Sequence, residues 1–379
     1  MSGGLGNCSV TVVGAGIAGL TAALTLAEKG ARVTVLERAP AIRELGAGIQ
    51  LSPNAMRVID ALGLGKGMRK ISLPSEAVRL LDDQGRGVAR LDLRGHRPNA
   101  DFRLIHRASL IGYLADAARS AGVAIELDQD VIHPPKGDLI IGADGLRSNI
   151  RAALNGREVP FFTHQTAWRA VIPQAAEIAP TEAQVYMGAG RHLVSYPLPG
   201  GLRNIVAVQE RYEWQEEGWS HQDDPDHLRA AFADFGSPVR EWLAAVGQTH
   251  IWGLFRHDVA RIWQDGRLVL IGDAAHPTLP FIAQGAAMAI EDAWILAACL
   301  DSGPDQTAAL TRFERLRRPR VTRIVRASNR NARNYHLTGM KRSAAHLALR
   351  AADRLAPGLM LSRFDWLYDF DPTEPLPSG

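Results

Sequence analysis

Residues 9 to 19 read SVTVVGAGIAG, and a chain that contains them has few folds open to it. Ser9 to Val13 form a short β-branched run, and glycines follow at positions 14, 16 and 19. Leu20 to Gly30 then carry Ala and Leu at helical spacing, and Val33 to Glu37 return as an apolar strand. Strand, glycine turn, helix and strand make a βαβ unit, which implies a parallel sheet. In such a turn the first glycine permits the tight bend, and the second lets a pyrophosphate approach the backbone. The third lets helix and strand pack closely, while the helix start offers unpaired N–H groups and a positive dipole end. Gly14, Gly16, Ala18 and Gly19 are therefore the first candidate contacts to a dinucleotide.

Glu37 closes the second strand, where a carboxylate would accept hydrogen bonds from both hydroxyls of an adenosine ribose. Arg38 beside it could invite a 2′-phosphate, but the acid would repel that group, which leaves FAD or NAD. Residues 268 to 293, LVLIGDAAHPTLPFIAQGAAMAIEDA, separate these two. An NAD dehydrogenase has no need of a second buried strand ending in Gly272-Asp273 so late in the chain, whereas FAD is long enough to reach one. On that reading Asp273 accepts from a ribityl hydroxyl, and Pro277 and Pro280 stiffen the backbone near the ring. A helix opening at Gly285 and Ala286 aims its free N–H groups at the pyrimidine oxygen of the flavin. Such a dipole end stabilises an anionic ring by up to ~2 kcal/mol in partly buried settings.

The chain of 379 residues has room for two units, and 46% hydrophobic with 22% charged residues is an ordinary globular balance. A net charge of +3 argues little for nucleic acid, and the basic stretch from Arg312 to Arg354 reads as a solvated helix face. Cys8 and Cys299 lack CxxC spacing or a histidine cluster, so no disulfide framework or zinc site is expected and a reducing cytoplasm is the default. VTVVGAGIAGLTAALTLA has no basic segment before it, and no stretch qualifies as a membrane span. Ser52-Pro53 is read as the cap and first turn of a helix through Leu62. VRLLDDQGRGVARLDL reads as a hairpin turning at Asp83 to Gly85, and FRLIHRASLIGYLADAARSAG as strand, turn and helix. Asp138 to Ile141 form another buried strand. From Thr163 to Gln209 the pattern alternates, with Pro199-Gly200-Gly201 between two strands, which points to antiparallel pairing. The expected fold is α/β. A Rossmann-like FAD-binding domain with a parallel sheet (1–70, 101–160, 266–305) is interrupted by a mostly antiparallel substrate sheet (71–100, 161–265), and C-terminal helices occupy 306–379.

Taken together, GAGIAG, GADGLRSNIR and GRLVLIGDAAHP resemble the single-component FAD-dependent aromatic hydroxylases, the class A flavoprotein monooxygenases. The resemblance runs over nearly the whole chain, including GAGIQLSPNAMRVIDALGLG and FDWLYDFDP. It is strongest to the branch of salicylate hydroxylase, 3-hydroxybenzoate 6-hydroxylase and 6-hydroxynicotinate 3-monooxygenase. It implies that Arg107 lies near the ribityl and pyrophosphate groups, that Asp144 and Gly145 serve FAD and the transient nicotinamide, and that the Val131 backbone meets adenine. It also implies NADH or NADPH as co-substrate and transfer of oxygen from a C4a-hydroperoxyflavin to an electron-rich ring. With only one GxGxxG, the nicotinamide must bind without its own Rossmann domain. Gln50 stands where the hydroxynicotinate enzyme has a histidine beside the flavin, which argues against that substrate. The segment ELDQDVIHPPKGDLIIGADG is shorter than usual, as if a hairpin before the DG strand were missing.

A ring accepts electrophilic oxygen far better as phenolate, so a base is expected near it. His192 and Tyr196 share one strand face with Val194, their Cα atoms roughly 13 Å apart at ~3.3 Å per residue. They are too distant for a tight dyad but suited to bracketing a ring, with His192 relaying the phenolic proton and Tyr196 orienting it. Trp168 and Arg169 begin the sheet domain, and Arg169 could meet a substrate carboxylate, although an edge arginine is more often structural. The expected protein is a cytoplasmic monomer or homodimer acting on a phenolic or N-heteroaromatic acid with NAD(P)H and O2, without nucleic acid or membrane span. The alternatives are a flavin hydroxylase or epoxidase of an apolar polycyclic or quinone substrate, and a non-catalytic FAD-binding redox protein.

Overall fold

The computed structural model describes residues 5–6, 8–42, 47–174, 181–211, 221–303 and 305–377. Its first sheet is wholly parallel, with five strands in the order Leu268–Leu270, Leu139–Gly142, Ser9–Val13, Arg32–Leu36 and Ala124–Glu126. The chain starts in the middle, crosses first to one side and later to the other, so the strand order reverses between Ser9–Val13 and Leu139–Gly142. In doubly wound sheets a ligand crevice opens at such a switch point, beyond the carboxyl ends of the strands. The helix Ile17–Glu28, called here the turn helix, packs between this sheet and the helix Gly285–Asp301, the late helix. Both are apolar on nearly every side because both are covered on nearly every side.

A second sheet of eight strands is ordered Gln222–Asp223, Thr249–Arg256, Phe161–Pro173, Leu202–Glu210, Arg191–Leu198, Glu182–Gly188, Ala77–Asp82 and Gly87–Asp92. Every pairing in it is antiparallel except Ala77–Asp82 with Glu182–Gly188. One face carries Trp168, Ala170, Leu193, Ile205 and Ala207 and is sealed by Leu228, Phe232, Val239 and Leu243 of the helices Pro225–Ala231 and Ser237–Ala244. The opposite face, bearing Ala167, Val208, Trp252 and Leu254, turns toward Leu279, Phe281 and the long helix Gln306–Tyr335. A three-stranded sheet of Gly48–Leu51, Arg103–His106 and Ser72–Pro74 bridges the two layers.

The hairpin at 77–92, the Pro199-Gly201 turn and the absence of any strand from 127 to 138 agree with the sequence reading. Four points differ. No turn separates Arg103–His106 from the helix Arg107–Ser120, because the helix starts at once. Ser52 precedes the helix Pro53–Ala61, but its hydroxyl donates to Asn54 and accepts from Gln284 instead of capping, since a buried polar cluster offers better-placed partners. Trp168 and Arg169 lie in the middle of a thirteen-residue strand and not at the start of the sheet. The basic stretch is only partly a solvated face. Arg317 is fully buried and Arg320 nearly so, because two acids of the late helix face them.

Candidate active site

Three parallel strands end side by side, and each ends in a glycine turn: Gly14-Ala-Gly16, Ala143-Asp144-Gly145 and Gly272-Asp273. These turns touch, and glycine is forced where they do. Gly14 has φ of 103°, and a Cβ on it would lie 2.5 Å from the Ala143 carbonyl oxygen. Gly272 has φ of 58°, and its Cβ would lie 2.8 Å from that of Ala18. A Cβ on Gly19 would sit 1.9 Å from the Gly14 oxygen, so helix and strand could not close together. Gly16 is different. Its φ of −76° suits any residue and an added Cβ meets nothing within 4 Å among the described residues, so none of them requires glycine there. The room is left for something else, and no side chain caps the turn helix above it.

Around this corner stand the other candidates. The Glu37 carboxylate is held by the N–H groups of Ala15 at 2.7 Å and Ala39 at 2.9 Å, with each oxygen keeping a lone pair. Arg38 beside it points into solvent. Asp273 stands within electrostatic reach of Arg107, which favours its ionised form. Asp273 is an exposed residue, yet protein crowds around it, and that crowding pushes its pKa up. The Arg107 N–H donates to the Ala47 carbonyl at 2.8 Å, and the next residue, Gly48, lies against Tyr196. Gln50, in the same strand, is half-buried. Pro280 sits exposed in the short 3-10 turn Pro280–Ile282, and Ala283 follows in the left-handed region at φ 52°, ψ 40°. For alanine that conformation costs on the order of 1 kcal/mol and concentrates at functional sites. It aims the late helix, whose first residues Gly285 and Ala286 are half-exposed and uncapped by any side chain.

Two further candidates make hydrogen bonds within the protein. The Asp144 carboxylate accepts from the Ser148 hydroxyl and from the N–H groups of Asn149 at 2.7 Å and Ile150 at 3.3 Å, so it caps the helix Asn149–Asn155. Burial raises its pKa against those hydrogen bonds. The Val131 carbonyl accepts from Asn149 Nδ2 at 2.9 Å, which ties the shortened loop to the same corner.

On the open face of the large sheet, His192 and Tyr196 are 1% and 4% exposed, yet Val194 between them is only half-buried. Solvent therefore reaches the sheet floor between two buried walls. The walls belong to different neighbours. The His192 ring meets Phe281, Tyr335 and His336. Tyr196 lies so close to Gly48 that a Cβ there would approach its Cε2 to 2.5 Å. Beside Tyr196 in the register is Asn204, whose Oδ1 accepts from the Gly48 N–H at 2.7 Å while its buried Nδ2 has no partner among the described residues. Arg169 shares this face two strands away, in the row Arg169, Val206, Val194, roughly 10 Å from Val194 at ~4.8 Å per strand. Burial drives the His192 pKa well below its usual value and His336 adds to this, so the ring is neutral near pH 7. Burial also raises the Tyr196 hydroxyl, with Arg169 opposing, so Tyr196 is a hydrogen-bonding group and not a base.

Behind the late helix lies a polar cluster that sequence reasoning missed. Asp292 accepts from the Gly272 N–H at 2.9 Å, from His276 and from Arg317 Nε at 2.8 Å. Glu291 meets Arg317 at 2.6 Å, Arg320 at 2.7 Å and Asn54. The signal was present as two acids inside an otherwise apolar seventeen-residue helix. This cluster fixes the Gly272-Asp273 turn, because Asp292 holds its backbone. Arg317→Met would take from two fully buried carboxylates the guanidinium they share, leaving Glu291 to Arg320 and Asp292 to His276, and we expect a loss of about 3–5 kcal/mol, read as a lower denaturant midpoint. The deficit should shrink as pH falls and the carboxylates protonate; an unchanged midpoint at pH 7 would contradict the assignment.

Comparison with known proteins follows the same outline. The profile of the FAD binding domain family matches residues 7–138 and 136–328. The chain is 35% identical to 3-amino-4-hydroxybenzoate 2-monooxygenase of Streptomyces platensis, over 96% of each chain. It is 33% identical to 3-hydroxybenzoate 6-hydroxylase 1 of Aquipseudomonas alcaligenes, over 97% of this chain and 98% of that one. The crystal structure of Klebsiella pneumoniae HpxO complexed with FAD and uric acid superposes with a TM-score of 0.82 at 25% identity, covering 93% and 95% of the two chains.

Proposed function

Given that the chain belongs to the FAD binding domain family and is a flavoprotein oxidoreductase, we propose that it is an NAD(P)H-dependent monooxygenase of small phenolic or N-heteroaromatic acids, with hydroxybenzoates first. The observation that carries this is the gathering of the Gly16 gap, Glu37, Asp144 and Asp273, on which Arg107 acts, at the carboxyl ends of the parallel strands, together with the half-open floor at Val194 on the large sheet. FAD fits the residues present. Gly14, Gly16, Ala18 and Gly19 would hold its pyrophosphate and Glu37 its ribose. Arg107, the Asp144 backbone and Asp273 would hold its middle, and Gln50, Pro280, Gly285 and Ala286 its ring. Bound there and reduced by NADH or NADPH, it supplies the activated oxygen atom derived from O2.

The chain's own residues then do three things. The Arg169 guanidinium anchors the substrate carboxylate at one end of the floor. Tyr196, neutral at working pH, hydrogen-bonds the ring substituent and orients it. His192, a neutral base, takes the phenolic proton, which makes the ring electron-rich enough to react. The named activities of the two relatives, both on hydroxybenzoates, support this order of preference. The test is a screen of hydroxybenzoates for stimulated NADH or NADPH oxidation, with product mass under labelled O2. We expect a product heavier by one oxygen atom drawn from O2, and flavin reduction that no hydroxybenzoate accelerates would count against the proposal.

A further inference from the structure

Resting on the phenolic-acid reading above, we infer that His336 and Glu210 form a proton-exit relay carrying the substrate's phenolic proton from His192 to the protein surface. His192 Nδ1 lies 2.7 Å from His336 Nε2, and His336 Nδ1 lies 2.9 Å from Glu210 Oε1. The first two members are sealed in, both side chains about 1% exposed, while the Glu210 side chain is 43% exposed. The three groups thus form a hydrogen-bonded line from the walled sheet floor to solvent. His336 sits at the C-terminal end of the thirty-residue long helix.

The hydrogen bonds also set the tautomers. An ionised Glu210 can only accept, so His336 carries its proton on Nδ1 and accepts on Nε2. His192 must then donate from Nδ1, which leaves the lone pair on its Nε2 for the substrate hydroxyl. An exposed acid on one strand thereby fixes the working nitrogen of a buried base on the next. A relay is needed because burial disfavours a lasting imidazolium at His192. The transfer balances without one. The phenol O–H bond breaks and its proton bonds to His192 Nε2, the Nδ1 proton of His192 moves to His336 Nε2, and the Nδ1 proton of His336 moves to Glu210 Oε1. Each ring gains and loses one proton and stays neutral. Glu210 releases its proton to water, and the phenolate remains. The same line run in reverse protonates the product oxygen and restores both tautomers.

Glu210→Gln tests this directly, because glutamine still accepts a hydrogen bond from His336 but cannot carry a proton outward. With FAD bound and 3-hydroxybenzoate as probe, stopped-flow proton release to an indicator dye is compared in wild-type and variant protein, alongside turnover. We expect release and hydroxylation to slow by about tenfold or more at unchanged KM, the solvent isotope effect on turnover to rise, and added imidazole to restore part of the rate. His336→Phe should show the same pattern. A merely structural cluster would leave the isotope effect and the imidazole response unmoved, so wild-type values for both in Glu210→Gln overturn the relay while the phenolic-acid reading stands. A wild-type enzyme that hydroxylates no phenolic acid overturns the reading, and the relay with it.

Discussion

Gly16→Val is expected to give a folded protein that purifies without yellow colour. An added Cβ at position 16 meets no atom of the described residues within 4 Å, and the backbone there is in a region that valine favours. The fold therefore has little reason to object. The substituent instead fills the space before an uncapped helix start, where a pyrophosphate must approach the backbone. FAD affinity should fall by about a hundredfold or more, equivalent to ~3 kcal/mol, with far-UV circular dichroism unchanged. Gly19→Ala is the contrast, because its methyl would collide with the Gly14 carbonyl and disturb the fold itself. Asp273→Ala should also lose flavin, through removal of the carboxylate that faces Arg107. Full flavin occupancy in Gly16→Val would mean that the gap is not the pyrophosphate seat.

His192→Ala is expected to retain FAD and lose hydroxylation by about 10²–10³-fold near neutral pH, the range of a positioned general base. The sign of its pH dependence follows from burial. The folded pKa of His192 is depressed, so the wild-type base is unprotonated and active at and below pH 6.5, and activity should fall only in more acidic solution. In the variant the phenol must ionise unaided, with a pKa near ~10 as for a tyrosine hydroxyl, so the deficit should narrow as pH rises toward that value. A variant that turns over at the wild-type rate near neutral pH would remove His192 from the chemistry. A deficit that stays constant with pH would make it a packing residue. Tyr196→Phe distinguishes the two walls, since loss of an orienting hydroxyl should raise uncoupled NAD(P)H oxidation more than it slows the reaction.

Much of the geometry of the proposed cofactor side was legible in the chain. The GxGxxG turn, Glu37 at the end of the second strand and the late Gly272-Asp273 turn are each set by a few consecutive residues, and three strands end where those residues stand. Asp144 was found by motif, while the hold of its carboxylate on the start of a helix is revealed only by the Ser148 and Asn149 contacts. On the substrate side the spacing of His192 and Tyr196 put them on one face. The half-open Val194 between them depends on what the facing layer leaves uncovered.

The chain by itself determined the βαβ unit, the parallel sheet and the glycine positions, because positive φ, steric closeness and helix dipoles act over a few bonds of backbone. Only the tertiary structure joined His192 to His336 and Glu210, Arg317 to Glu291 and Asp292, and Asn204 to Gly48. Most of these partners lie more than a hundred residues apart, and the rest are on separate helices or strands. No periodicity records such pairs, since they exist only once the open sheet face closes on the long helix and the buried polar groups must find one another in place of water.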